Sequence, residues 1–201
     1  MDLVNGALHW IRSPGFVVVA SEAEKVDRHV VSALAHDCVR EAVYDLCGVD
    51  SGEIQYSDLG APRWFSGNLQ SNAFVSIAHT GRLAVGVASL EPIGVDVERS
   101  NRDVGRLVRG FSQPEQELLG EWDALEILCA KEAAGKAQQV GLAGSIQRWQ
   151  VTAHAGNLIV TDRDAQSDRA KWVVEIIRDL IFSESHTCVI ARPWGFNARG
   201  A

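Results

Sequence analysis

One five-residue segment, Gly94–Glu98, limits the fold most, because apolar and acidic residues alternate along it (Gly-Val-Asp-Val-Glu). Successive side chains of a β-strand point to opposite faces, so Val95 and Val97 are predicted to face a core while Asp96 and Glu98 share the other face. Two carboxylates about 7 Å apart on one face repel each other unless a cation lies between them. The segment is therefore either a solvated edge strand or half of a site for a hard cation such as Mg²⁺.

A helix predicted over 124–139 and ending near Gly141 continues its apolar stripe with Glu132 and Lys136. The stripe itself consists of Leu125, Leu128 and Cys129. Gly135 lies within this helix at a cost of up to ~1 kcal/mol relative to alanine, which predicts that another group approaches the backbone closely. The alternative is a surface helix on which Glu132 and Lys136 form an i,i+4 pair, worth about 0.2–0.5 kcal/mol.

The rest of the chain predicts helices packed on antiparallel sheets, an α+β protein. Capping boxes at Ser21–Glu24 and Ser112–Glu115 predict two helix starts, and the first of these helices is expected to end at Gly48. The segment Ser51–Ser71 is rich in turn residues. The other predicted strands are 16–20, 73–78, 83–90, 149–152, 158–161, 172–177 and 188–191.

Composition excludes several classes of protein. Of 201 residues, 46% are hydrophobic and 22% are charged, which is typical of a globular chain. A formal charge of -7 argues against a nucleic-acid partner. No apolar run approaches the roughly 20 residues of a membrane helix, and no signal peptide is evident. The 4 cysteines form no CxxC pair, so we expect free thiols and a cytoplasmic location.

Four residues are the candidates for chemistry: Asp96, Glu98, Glu132 and Lys136. Together they could bind magnesium pyrophosphate, deprotonate a hydroxyl and stabilise phosphoryl charge. The chain contains no GxxxxGK[ST] loop, no GxSxG elbow and no HExxH pair. An enzyme whose nucleophile belongs to its substrate needs none of these motifs.

Four short blocks carry a resemblance to a known family: SIAH at 76–79, IGVDVE at 93–98, FSQPEQELL at 111–119 and AKEAAGKA at 130–137. The last three resemble the signature blocks of the 4′-phosphopantetheinyl transferases in order and spacing. SIAH resembles a block of the larger, pseudo-dimeric class, which activates peptide and polyketide synthases. The resemblance implies transfer of the phosphopantetheine arm of coenzyme A to a serine of an acyl or peptidyl carrier protein, with release of 3′,5′-adenosine bisphosphate. It also implies two similar α+β halves related by a pseudo-twofold axis, which we expect at 1–90 and 91–201 of a monomer.

The resemblance also implies roles for single residues. It makes Asp96, Glu98 and Glu132 ligands of Mg²⁺, Glu132 the proposed base, and Lys136 a phosphate ligand. His79 matches a histidine that contacts a coenzyme A phosphate, although a histidine entering a hairpin is more often a surface residue.

Two of the departures from the family pattern concern residues expected to contact coenzyme A. Ala61 stands in the Gly-Ala-Pro sequence where the family often has Gly-Lys-Pro, and Arg63 is a candidate to supply the missing charge. Ala78 stands where the family has a serine before the histidine. These changes concern the binding of coenzyme A.

Three arginines, Arg102, Arg106 and Arg109, are spaced to share one face if their segment is helical. One interpretation is a solvated helix face. The other follows from the resemblance, in which the helix after the first block docks the carrier, so Arg102 and Arg106 would attract an acidic carrier protein. Two further functions stay open for the chain: a non-catalytic scaffold that binds carrier protein or coenzyme A, and a magnesium-dependent phosphohydrolase.

Overall fold

Two antiparallel sheets, each with a helix packed against it, make up most of the computed structural model. The structure describes residues 8–49, 51–67, 69–70, 73–141, 145–165 and 171–194. The α+β class with antiparallel sheets is therefore confirmed. None of the helices in these ranges is both long and apolar enough to cross a membrane.

The elements follow one another in a simple order. They are β1 (His9–Ser13), β2 (Phe16–Glu22), α1 (Arg28–Cys47), β3 (Glu53–Tyr56), β4 (Pro62–Ser66), β5 (Leu69–Gln70), β6 (Phe74–Thr80), β7 (Leu83–Ser89), β8 (Gly94–Arg99), α2 (Gly105–Val108), α3 (Gln113–Leu118), α4 (Ala124–Ala137), a 3₁₀ turn (Ile146–Arg148), β9 (Trp149–His154), β10 (Asn157–Asp162), β11 (Lys171–Ile181) and β12 (Ser185–Pro193). The sheets have the strand orders β1-β2-β7-β6, β3-β4-β5 and β8-β12-β11-β10-β9.

The two larger sheets share a connectivity. In the first, β2 leads into α1, and the later hairpin β6–β7 returns so that β7 pairs antiparallel with β2. In the second, β8 leads through two short helices into α4, and the hairpin β11–β12 returns so that β12 pairs antiparallel with β8. A twofold axis between the halves, and their division after residue 90, stay predictions.

Helix α1 does not begin where its capping box predicts. Its N-cap is Asp27, whose carboxylate accepts hydrogen bonds from two backbone N–H groups at 2.8 and 3.2 Å. The predicted start at Ser21 is wrong because β2 continues through Glu22, which forms an ion pair with Arg82 at 2.8 Å. The predicted end is confirmed, since Gly48 adopts a left-handed φ of 68° at the C-cap.

The segment Ser51–Ser71 contains the strands of the smallest sheet as well as turns. Gly60, with a left-handed φ of 78°, lies in the turn between β3 and β4, and Pro62 is the first residue of β4, so turn residues dominate the sequence between these short strands. Trp64 anchors the sheet, since it is 1% exposed and packs into the core beneath α1. Strand β1, like the strands of the smallest sheet, is not predicted by the sequence pattern.

Helix α4 lies very close to β8, and glycine permits this contact. A β-carbon at Gly94 would overlap the carbonyl oxygen of Ala133 and lie 2.5 Å from the backbone nitrogen of Ala137. The close approach predicted at Gly135 is also confirmed, because a β-carbon there would lie 2.6 Å from the carbonyl carbon of Gly141. The approaching group belongs to the loop that follows the same helix.

The edges of the two larger sheets meet at β6 and β8. The backbone N–H of Val95 donates a hydrogen bond to Oγ of Ser76 at 3.1 Å across this junction. Strand β8 therefore carries its acids along the seam between the halves.

Candidate active site

A cavity of about 430 Å³ lies at this seam and is lined by residues of both halves. The first half contributes Ala61, Ser76, Ala78 and His79, and the second contributes Asp96, Glu98, Glu132, Lys136 and Gln139. All four residues that the sequence singles out for chemistry therefore line one space. The pattern that brings them together is the alternation of β8 and the helical spacing of α4.

Asp96 is buried at the cavity wall, only 5% exposed. Its Oδ1 accepts a hydrogen bond from Nζ of Lys136 at 2.8 Å, and the same ammonium group donates to the carbonyl oxygen of Val95 at 3.0 Å. Oδ2 of Asp96 is buried and has no hydrogen-bond partner within the described ranges. Val95 and Val97 lie in the core on the opposite face, as the alternation predicts. The solvated edge strand is therefore the wrong alternative.

Glu98 lies two residues further along β8, on the same side of the strand as Asp96. Its Oε2 accepts a hydrogen bond from Oγ1 of Thr80 at 3.1 Å, and its Oε1 forms an ion pair with Arg102. One oxygen is thus tied to β6 of the first half and the other to the loop before α2. The side chain of Glu98 is 19% exposed.

Glu132 reaches the same cavity from α4. Burial, then the negative charges of Asp96 and Glu98, raise the pKa of its carboxyl group to about 7, and Lys136 and Arg102 oppose this rise. Lys136 forms its ion pair with Asp96, so the surface i,i+4 pair of Glu132 and Lys136 is the wrong alternative.

Buried Cys129 lies one turn before Glu132 on α4 and has a raised pKa. The cause is mainly burial, followed by the negative charge of nearby Asp96. The sequence suggests no role for this thiol, and it stays protonated at neutral pH.

The three carboxylates suit a hard cation but do not form a ready-made cage. Within the described ranges, no three acidic, histidine or cysteine side chains are grouped closely enough to hold a metal ion, since Asp96 turns to Lys136 and Glu98 turns to Arg102. The donors nevertheless fit Mg²⁺, because all of them are carboxylate oxygens. The buried Oδ2 of Asp96 without a partner and the raised pKa of Glu132 both indicate negative charge that a cation would compensate.

The candidate residues for coenzyme A are only partly gathered at the cavity. Exposed His79, at the end of β6, lines it, as do the buried Ala61 and Ala78. Arg63 is not among the described residues that line the cavity, but its Nη2 donates to Oε1 of Gln139 at 3.3 Å. Gln139, which does line the cavity, was not singled out from the sequence, although it lies one helical turn after Lys136.

Gln139 also has an uncommon backbone conformation, with a φ of 63°. Tyr56 is a second lining residue that the sequence analysis misses, and its hydroxyl lies 2.6 Å from Nε2 of His36. Tyr56 lies on one of the short strands in the turn-rich segment, so no periodicity marks it.

The condition under which Arg102, Arg106 and Arg109 would share one face, a helix over their whole segment, is not met. Helix α2 is a single turn, Gly105–Val108, and Arg102 lies before it. The turn starts late because Asp103 accepts a hydrogen bond from the backbone N–H of Gly105 at 2.9 Å. Arg102 instead pairs with Glu98, while Arg106 and Arg109 are exposed.

Comparison with models of known protein families gives a match. The family model described as the 4′-phosphopantetheinyl transferase superfamily matches residues 92–191, which include β8 and α4. A search of curated proteins finds no match. The matched range begins after the SIAH block at 76–79, so membership of the larger, pseudo-dimeric class stays a prediction.

Proposed function

Because the chain belongs to the 4′-phosphopantetheinyl transferase superfamily, we propose that it transfers the phosphopantetheine arm of coenzyme A to a serine of an acyl or peptidyl carrier protein. Phosphopantetheine transfer from coenzyme A is the activity of this family. The observation that carries the proposal is the gathering of Asp96, Glu98, Glu132 and Lys136 around one cavity between two halves of the chain. The second product would be 3′,5′-adenosine bisphosphate.

The proposed reaction is a displacement at phosphorus. Glu132 accepts the proton of the carrier serine through a water molecule, because a carboxylate beside a cation is a weak base for direct transfer. The serine oxygen then forms a bond to the phosphorus that bears the pantetheine arm. The bond from that phosphorus to the bridging oxygen breaks, and the adenosine bisphosphate leaves with the electron pair. Lys136, held at the wall by Asp96 and Val95, stabilises the negative charge on the phosphoryl oxygens.

The acids of the cavity would hold the metal. Asp96, Glu98 and Glu132 would bind Mg²⁺, which compensates pyrophosphate charge. His79 would contact a phosphate of coenzyme A, and Arg63 would support that end of the cavity through Gln139. Arg102 and Arg106 would attract an acidic carrier. We expect a monomer in the cytoplasm.

The deciding experiment is an intact-mass assay of apo carrier proteins after incubation with coenzyme A and Mg²⁺. We expect carrier molecules to gain the mass of one phosphopantetheine arm, and EDTA to prevent the gain. The variants Asp96→Asn and Glu98→Gln keep side-chain size but remove the charges, so they should lose transfer even at high Mg²⁺. A stable complex without a mass gain would instead indicate a scaffold. Release of phosphate or nucleotide without any carrier would indicate a phosphohydrolase.

A further inference from the structure

A second cavity, of about 230 Å³, shares no described lining residue with the first. It lies between the loop that joins α2 to α3, the 3₁₀ turn, the start of β9 and the residue after β10. Its polar lining residues are Arg109, Ser112, Glu115, Gln147, Trp149 and Arg163. None of them has a part in the proposed transfer reaction.

The two arginines at this cavity are unpaired. Neither Arg109 nor Arg163 forms an ion pair or a side-chain hydrogen bond within the part of the chain that the structure describes. Eight other arginines in the described part of this acidic protein do pair with carboxylates. Two uncompensated guanidinium groups at one cavity give it a positive potential.

Two residues that line the cavity each have a side-chain donor without an acceptor among the described residues. Trp149 is 0% exposed, and its Nε1 has no hydrogen-bond partner among the described residues. Ser112 is the N-cap of α3, where its buried Oγ faces the backbone N–H of Glu115, and it donates no hydrogen bond to a described residue. An indole N–H can only donate, and a serine hydroxyl can donate, so both suit an acceptor ligand. A buried polar group without a partner destabilises the protein, and such a ligand would remove that cost.

The single acid among the described residues that line the cavity, Glu115, does not cancel this potential. Glu115 is neutralised by Lys131, whose Nζ lies 2.7 Å from Oε1. The backbone N–H of Val151 donates to Oε1 at 2.9 Å, and that of Ser112 donates to Oε2 at 2.8 Å. Both carboxylate oxygens are therefore engaged, and the charge left at the cavity is that of Arg109 and Arg163.

We propose that this cavity binds a phosphate group, either as inorganic phosphate or as a phosphate monoester. A phosphate carries about -1.5 to -2 charges at neutral pH, which matches two guanidinium groups. A carboxylate would leave one of the two unpaired. Guanidinium groups also bind phosphate oxygens in a two-pronged geometry, and a tetrahedral anion presents enough oxygens for Trp149 and Ser112 as well.

The test uses a signal that belongs to this cavity alone. Trp149 does not line the first cavity, so the assigned indole N–H resonance of Trp149 in ¹⁵N-labelled protein reports on this site. Sodium phosphate is titrated against sodium chloride of equal ionic strength, and 3′,5′-adenosine bisphosphate is titrated in parallel. We expect a saturable shift of the Trp149 resonance with phosphate and not with chloride. Tighter binding of the nucleotide would identify a monoester as the ligand, whereas binding of inorganic phosphate alone would identify the free ion.

Single variants supply the controls. Arg109→Gln and Arg163→Gln should each weaken the phosphate shift by about tenfold or more, since each removes charge-assisted hydrogen bonds. Arg106→Gln removes the same charge from an exposed arginine outside the cavity and should leave the shift unchanged. Both cavity arginines are exposed, so the variants should fold, and their remaining amide resonances verify this. The proposal would be overturned if phosphate caused no saturable shift of the Trp149 resonance, or if the cavity variants bound phosphate as tightly as the wild type. It would also be overturned if acetate, titrated as a carboxylate for comparison, bound more tightly than phosphate.

Discussion

The carboxyl group of Glu132 lies at the cavity and has a pKa of about 7 in the absence of a metal ion. A bound cation would lower this pKa, which is why the proposed proton transfer runs through water rather than directly to the carboxylate. Burial is the first cause of the raised pKa, and the nearby acids of β8 add to it. Both causes depend on the packing of α4 against β8.

Replacing Glu132 by glutamine should reduce transfer by more than the ~10²–10⁴ of general base catalysis, because a proposed metal ligand is lost as well. Single-turnover kinetics with saturating coenzyme A and carrier would measure this loss. Circular dichroism should show an unchanged fold, since glutamine keeps the size of the side chain. A fully active variant would remove Glu132 from the mechanism.

The same substitution should change how stability depends on pH. The pKa of Glu132 rises from an ordinary 4.5 to about 7 on folding, so the folded state binds more protons than the unfolded state between these values. The free energy of unfolding of the wild type should therefore fall as pH rises through this window. Glu132→Gln lacks this contribution. In metal-free buffer, the free energy of unfolding of the variant should therefore rise relative to that of the wild type between pH 4.5 and pH 8, by on the order of 1–3 kcal/mol. Urea unfolding of both proteins at several pH values measures the difference, and parallel curves would contradict it.

The close contact between strand β8 and helix α4 depends on the absence of a side chain at Gly94. An alanine there would overlap the helix backbone at Ala133, and backbone cannot rotate away as a side chain can. Gly94→Ala should lower the free energy of unfolding by about 1–3 kcal/mol or more. The control is Gly105→Ala, where the nearest atom is the flexible carboxylate of Asp103 at 3.2 Å. Denaturant midpoints compare the two variants, and equal midpoints would show that β8 and α4 can separate without cost.

Helix α4 is also joined to α3 by a buried ion pair between Lys131 and Glu115. The two side chains are 0% and 1% exposed. Burial lowers the pKa of Lys131, and Glu115 opposes this. Glu115→Gln would leave a buried ammonium group without its counter-ion, so we expect a loss of about 3–5 kcal/mol in unfolding free energy. The surface pair of Arg40 with Asp37 provides the control, since Asp37→Asn should cost less than about 1 kcal/mol. Thermal and urea unfolding would test both, and similar losses would contradict the difference in burial.

The whole molecule carries a net charge of -7, so it would repel an acidic carrier protein unless a local positive patch attracts the carrier. Arg106 is the cleaner test of steering, because Arg102 also pairs with Glu98 and its reversal would disturb the cavity. Arg106→Glu should raise the KM for carrier and leave the KM for coenzyme A nearly unchanged. The difference from wild type should shrink with salt, since the Debye length is about 10 Å at 0.1 M.

Arg40→Glu on α1 is the matched control for this prediction, because it changes the net charge by the same amount at another exposed position. Kinetics in which carrier and coenzyme A are varied separately, at low and high salt, would measure both variants. Equal effects of the two reversals would mean that only net charge matters. A change in the coenzyme A constant alone would assign Arg106 to phosphate binding.

Much of the local structure follows from the sequence because short-range physics decides it. The alternation in Gly94–Glu98 correctly predicts a strand with two acids on one face, and Gly48 correctly predicts the end of α1. The helical spacing of Glu132 and Lys136 after an apolar stripe brings both to the cavity. The family blocks at 93–98 and 130–137 lie within the matched range.

Only the tertiary structure decides which charges meet. That Lys136 pairs with Asp96 rather than Glu132 depends on the packing of α4 against β8, where Gly94 leaves no room for a side chain. The partner of Arg102 and the start of α1 at Asp27 likewise depend on hydrogen bonds and strand pairing that no periodicity reveals. The spacing of residues along the chain decides which face of a helix or strand a side chain lies on. How deeply that side chain is buried, and which charged group it meets, depends on the other element that packs against that face.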